Sequence, residues 1–109
     1  MHLTRTEQNS LEQFIEALHA GFPSLIVEVR LFGSKARGDA RTDSDVDVLV
    51  LLNRCDWRLA DKIRSIATDI LLETGVLISS KVMSVSHFKR ILQDGYPFAR
   101  AVQKEGVLV

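Results

Sequence analysis

The stretch GSKARGDARTDSDVDVLV, residues 33–50, decides the fold of this chain. It follows an apolar, β-branched run at 25–32 and ends within a second apolar run at 48–52, and both runs are typical of strands. Between them, Gly33 and Ser34 predict a tight turn that leads into a short helix. The sequence therefore predicts two neighbouring strands joined by a turn, a short helix and a polar segment rich in aspartate.

The short helix after the first strand is predicted to bind an anion. The N–H groups in the first turn of a helix have no partner within that helix, and helix N-termini favour negative charge. Ser34 can cap this helix or donate to a phosphate oxygen. Lys35 and Arg37 add positive charge, and Gly38 permits a positive φ where the chain leaves the helix.

Two carboxylates, Asp45 and Asp47, precede the second apolar run at positions i and i+2. Strand alternation places them on one face, about 7 Å apart at Cα. Like charges held this close are costly unless a cation or protons neutralise them, and Mg²⁺ is commonly held by one or two carboxylates and substrate phosphates. The alternative is that the aspartates of 39–47 only make a polar turn. The ordered succession of strand, turn, basic pair and acidic pair favours the metal site.

These residues resemble the GSxxRG…SDxDxxV signature of the DNA polymerase β-like nucleotidyltransferase superfamily. The short chain is similar to the minimal nucleotidyltransferases, the branch that acts as antitoxins against HEPN-type toxins. The resemblance implies an α/β (α+β) fold, with a small mixed β-sheet and helices packed on it, like the polymerase β palm. The signature covers 33–50, and the rest of the chain agrees in length and element order.

The resemblance also implies a reaction, in which a hydroxyl attacks the α-phosphate of ATP and releases pyrophosphate while Mg²⁺ clamps the reacting oxygens. For phosphate charge, Arg37 is favoured over Lys35 because its guanidinium can bind phosphate bidentately. The implied catalytic and metal-binding residues are Asp45 and Asp47, and the implied nucleotide- and phosphate-binding residues are Gly33, Ser34, Lys35, Arg37, Gly38 and Ser44.

The family usually has a third carboxylate on the next strand, and this chain departs from that pattern. The predicted third strand, 76–83, contains no Asp or Glu, and the aligned position is Ser80 or its neighbour Ser79. A neutral oxygen is a poor substitute for a carboxylate at a divalent cation. We therefore expect one Mg²⁺ ion here, where the family binds two, and we expect nucleotide binding to be retained better than turnover.

The sequence is compatible with three functions. The first is transfer of AMP to a partner protein, by similarity to antitoxins that adenylylate a tyrosine of the toxin. A tyrosine hydroxyl, with a pKa of about 10, needs less help from a base than a sugar hydroxyl does. The second is a module that neutralises a toxin by binding alone. The third is one lobe of a nucleic-acid-modifying enzyme, which the balance of 14 basic and 14 acidic residues disfavours.

Composition indicates one domain, 1–109, with 46% hydrophobic residues and a core that needs no disulfide. Cys55 is the single cysteine, which suggests the reducing cytoplasm, and no apolar window approaches a membrane span. Helical periodicity predicts helices at about 7–20 and 57–73, and shorter ones at 86–93 and 98–104. Ser84 or Ser86 is the predicted cap of the helix at 86–93. Strand 76–83 after helix 57–73 implies a right-handed crossover into the same sheet.

The apolar segment 105–109 has three possible roles. It could pair as an edge strand, form part of a partner surface, or be buried within the domain. A homodimer is compatible with the segment and is not required by it.

Overall fold

The computed structural model describes residues 2–38 and 45–109, and it has a four-stranded mixed sheet with helices on both faces. The strands are β1 (Ile26–Phe32), β2 (Val46–Leu52), β3 (Ile78–Ser84) and β4 (Val107–Leu108). The helices are α1 (Arg5–Gly21), α2 (Gly33–Arg37), α3 (Trp57–Thr74), α4 (Val85–Gln93) and α5 (Pro97–Glu105). This arrangement confirms the predicted mixed α/β fold.

The strand order is β3-β2-β1-β4. β1 is antiparallel to both β2 and β4, whereas β2 and β3 are parallel and are connected through α3. The crossover into the same sheet is therefore confirmed. Segment 105–109 contributes β4 at the edge, as the first of its three predicted roles required, and leaves Leu108 66% exposed.

Alternation along β2 divides the core into two layers. Val46, Val48 and Val50 are fully buried on the face covered by α1 and α3. Leu49 and Leu51 are buried on the opposite face, which is covered by α4 and α5. Because side chains alternate along a strand, Asp47 belongs to the α4 and α5 face.

The helix ends follow local sequence signals. Thr4 and Glu7 form a capping box at the start of α1. Ser84, one of two predicted caps for α4, accepts a hydrogen bond from the His87 backbone N–H at 3.1 Å. α3 ends at Gly75, whose φ of +79° lies in the left-handed region. Within 2–38 and 45–109, no helix is both long and apolar enough to cross a membrane.

Candidate nucleotide and metal site

The turn after β1 lies directly against the Asp47 carboxylate. Phe32, the last residue of β1, pairs with Asp47 in the antiparallel ladder, so the next residue, Gly33, is beside it. Gly33 has φ +73°, and a Cβ on it would lie 2.5 Å from Asp47 Oδ2. The left-handed conformation favours glycine at this position, and a side chain here would displace the Asp47 carboxylate. The close approach places the first turn of α2 next to a carboxylate.

The short helix α2 is formed as predicted, and it ends at Gly38 with the predicted positive φ, +84°. Phe32 occupies the N-cap position and no side chain caps the helix. The prediction that Ser34 caps α2 is therefore wrong, because the helix begins one residue earlier and Ser34 lies inside it. Ser44, also predicted at the site, lies outside the described residues.

The structure brings Asp45 and Asp47 together. Asp45 immediately precedes β2 and is exposed, whereas Asp47 is half-buried within the strand. Burial raises the pKa of Asp47, the Asp45 charge raises it further, and the charges of Lys81 and Arg37 act in the opposite direction. A half-buried carboxylate beside an exposed one, with the backbone of Gly33 close to the first, fits a hard cation such as Mg²⁺.

Arg37 lies between the acidic pair and the end of α5. Its Nη1 atom is 3.2 Å from Glu105 Oε2, and the side chain remains partly exposed. Its charge also acts on Asp47, where it lowers the pKa against the raising effects of burial and of Asp45. The guanidinium is therefore placed where it can reach an anion bound beside Asp47.

Lys35 is positioned differently from Arg37. It is only 2% exposed, and its Nζ atom lies 2.8 Å from Oε2 of Glu7, which is 7% exposed. The backbone reinforces this connection, because the His2 N–H donates to the Lys35 carbonyl at 2.9 Å. Lys35 thus fastens α2 to α1, and its ammonium is engaged with that helix.

The ion pair controls the ionisation of Glu7. Burial alone would raise the pKa of Glu7, but hydrogen bonds from Lys35 and from the Thr4 backbone, together with the Lys35 charge, hold the pKa below its ordinary value. Ionised Glu7 therefore stabilises the fold above the unfolded-state pKa of about 4.3. That contribution is lost as the pH falls through the lower folded-state pKa.

The register of β3 distinguishes the two serines that sequence alignment could not separate. Ser79 pairs with Asp47, whereas Ser80 pairs with Val48, which faces the α1 and α3 core. Ser79 therefore lies on the same face of the sheet as Asp47, and Ser80 lies on the opposite face. Among residues 2–38 and 45–109, no three His, Cys, Asp or Glu side chains are grouped closely enough to hold one ion.

The same register reveals a residue that sequence reasoning missed. Lys81 pairs with Leu49, two positions along from Asp47 on the same face. The sequence signal was available, because Lys81 follows Ser79 at strand period. It could be interpreted only once the pairing of the parallel strands was known.

The family model for the nucleotidyltransferase domain matches residues 11–94. This range contains α2, β3, Asp45 and Asp47. The chain belongs to the nucleotidyltransferase family. This nucleotidyltransferase is 33% identical over 100 residues to a Methanocaldococcus jannaschii protein named provisionally as a protein adenylyltransferase. The alignment covers 92% of this chain and 94% of the relative.

Solved structures share the fold of this nucleotidyltransferase. One, provisionally named a minimal nucleotidyltransferase, has a TM-score of 0.55 and 24% identity, with 94% of each chain covered. Another is a chain from a crystal structure of a toxin–antitoxin with AMP-PNP, with a TM-score of 0.58 and 19% identity. That match covers 89% of this chain and 69% of the other.

We predict that Gly33→Ala disrupts the site more than an alanine at an equally left-handed but uncrowded glycine. Gly75 is the matched control, since its φ is +79° and nothing lies within 4 Å of a Cβ there. Urea unfolding should give a loss of about 1–2 kcal/mol for Gly75→Ala from backbone strain alone. Gly33→Ala should lose more and weaken Mg²⁺-ATP binding, because it displaces the Asp47 carboxylate. Equal effects of the two variants on stability and binding would contradict this.

We predict that Glu7→Gln costs about 3 kcal/mol of unfolding free energy at pH 7, because the buried Lys35 charge loses its ion pair with the Glu7 carboxylate. Glu16→Gln, at an exposed position on the same helix, should cost little. The difference between wild type and Glu7→Gln should shrink below about pH 4, as Glu7 becomes protonated in the wild type. Denaturation across a pH series measures this, and a constant difference down to pH 2 would contradict it.

Proposed function

We propose that this chain binds Mg²⁺-ATP and transfers AMP to a hydroxyl group of a partner protein, a tyrosine of a HEPN-type toxin. The observation that carries the proposal is the contact between the backbone at Gly33 and the Asp47 carboxylate. It sets the N–H groups of the first turn of α2 beside the acidic pair. Phosphate oxygens and a metal ion could therefore be held together at one point.

The proposed roles follow from position. Asp45 and Asp47 hold one Mg²⁺ ion, whose bound charge would polarise the α-phosphate and favour the pyrophosphate leaving group. The backbone at Gly33 and Ser34 positions the β- and γ-phosphates, and Arg37 neutralises phosphate charge. Gly38 shapes the exit from α2, and Ser44 belongs to the motif by resemblance. Lys35 supports α2 through Glu7 rather than binding phosphate.

The chemistry proposed is a single displacement at phosphorus. A new bond forms between the acceptor oxygen and the α-phosphorus, the bond from that phosphorus to the pyrophosphate oxygen breaks, and the acceptor proton leaves to solvent. A phenolic acceptor suits this chain because tyrosine, with an ordinary pKa of about 10, gives up its proton more readily than an aliphatic alcohol. The chemical demand on a third carboxylate is correspondingly lower.

A protein acceptor is supported by the comparisons and by charge. The relative at 33% identity carries the name of a protein adenylyltransferase, and a fold neighbour belongs to a toxin–antitoxin. Equal numbers of basic and acidic residues give no overall field that would draw nucleic acid. The single cysteine agrees with a site of action in the cytoplasm.

A second candidate function, neutralisation of a toxin by binding alone, is favoured by one observation. On the site face, β3 presents Ser79 beside Asp47 and Lys81 beside Leu49, and neither residue is a carboxylate. Catalysis by the pair Asp45 and Asp47 would then be weak, and the complex itself would carry the effect. The labelling experiment below separates the two candidates.

We predict that incubation with α-³²P-ATP, Mg²⁺ and a HEPN-type toxin labels the toxin. Asp45→Asn/Asp47→Asn should abolish the labelling, whereas Asp61→Asn/Asp69→Asn, at exposed positions on α3, should retain it. Label supplied on the γ-phosphate should not be transferred, because pyrophosphate leaves. Toxin that is silenced without label would favour binding alone, and label from the γ-phosphate would exclude AMP transfer.

We predict that Arg37→Gln weakens Mg²⁺-ATP binding by about tenfold or more, the value of a lost hydrogen bond to a charged group. Arg58→Gln is the matched control, because Arg58 lies on α3 and stacks over the Trp57 ring at 5.3 Å. Isothermal titration calorimetry measures both dissociation constants. Unchanged affinity in Arg37→Gln would remove Arg37 from the phosphate site.

A further inference from the structure

We infer that Lys81 is a phosphate-binding residue of this site, and that its ammonium occupies the β3 face in place of a third carboxylate, so that the site takes a single divalent ion. The inference rests on the proposed function for the nucleotide itself. It adds a residue outside the sequence motif and a physical reason for the single metal ion.

The strand register places Lys81 on the same face of the sheet as Asp47. Parallel pairing aligns Asp47 with Ser79 and Leu49 with Lys81, so Lys81 is one step along the same face from Asp47. Strand spacing and rise put the Cα atoms of Asp47 and Lys81 about 8 Å apart. A lysine carries its ammonium on a flexible four-carbon stem, which spans such a separation.

The surroundings of Lys81 leave its side chain exposed to solvent. Its neighbour in register, Leu49, is fully buried under α4 and α5, whereas Lys81 itself is exposed. Lys81 therefore lies at the solvent-exposed edge of this face, between the apolar residues that α4 and α5 cover and the acidic pair. Its charge acts on Asp47, in the direction that lowers the pKa of that carboxyl group.

The Lys81 ammonium is suited to bind phosphate. In the described ranges, 2–38 and 45–109, Lys81 forms no ion pair within 4.0 Å, unlike Arg37 with Glu105 or Lys35 with Glu7. An ammonium near two carboxylates repels a second divalent ion and attracts the phosphates that accompany the first. Ser79, directly beside Asp47, adds only a neutral hydroxyl.

Binding of the non-hydrolysable analogue AMP-PNP in the presence of Mg²⁺ tests the residue. We expect Lys81→Met to weaken binding about tenfold, and Lys81→Arg to restore most of it. Lys62→Met, at an exposed position on α3, should bind as the wild type does. Urea unfolding midpoints should be the same for all four proteins, which separates a role in binding from a role in folding. Equal affinity of Lys81→Met and wild type would overturn the inference.

Counting Mn²⁺ ions by electron paramagnetic resonance in the AMP-PNP complex tests the stoichiometry. We expect one bound ion per wild-type chain, and two ions would overturn the inference even if AMP-PNP binds well. Failure of the wild type to bind AMP-PNP would overturn the proposed function together with this inference. Binding by the wild type with no dependence on Lys81 would overturn this inference alone.

Discussion

The antiparallel pairing of Phe32 with Asp47 is the constraint on which the candidate site depends. It brings the end of β1 level with the start of β2, so that the backbone at Gly33 meets a carboxylate oxygen. Phe32 is itself held by an edge-to-face contact with Phe98 of α5, with ring centroids 5.5 Å apart. The packing of Phe32 on one face of the sheet thus fixes the contact between the Gly33 backbone and the Asp47 carboxylate at the edge of that face.

Charge around this contact is balanced by residues from separate parts of the chain. The acidic pair comes from the start of β2, one cation from the end of α2 and another from β3, and both cations oppose the rise in the pKa of Asp47. None of the three elements could hold this balance alone. The sheet register determines which charges meet, and that register is set by the apolar side chains of β2 on its two faces.

Much of the fold could be predicted from local sequence, because turn residues and periodicity act over a few positions. The short helix, the positive φ of Gly38 and the serine cap of α4 are of this kind. The role of Lys35 could not be predicted, because its partner Glu7 is 28 positions away and only tertiary packing brings the two together. Sequence alone leaves Ser79 and Ser80 as alternatives for a related reason, since alternation gives the faces of a strand but not its pairing with the neighbouring strand.

The buried pair between Lys35 and Glu7 makes the signature stretch dependent on a helix that lies outside it. A fragment that starts at β1 would keep every residue of the signature, yet it would remove Glu7, whose carboxylate lies 2.8 Å from the buried Lys35 ammonium. The Lys35 side chain would then be hydrated instead of buried, and α2 would lose its orientation. The orientation of the signature stretch in this chain therefore depends on α1 as well as on the residues of the signature itself.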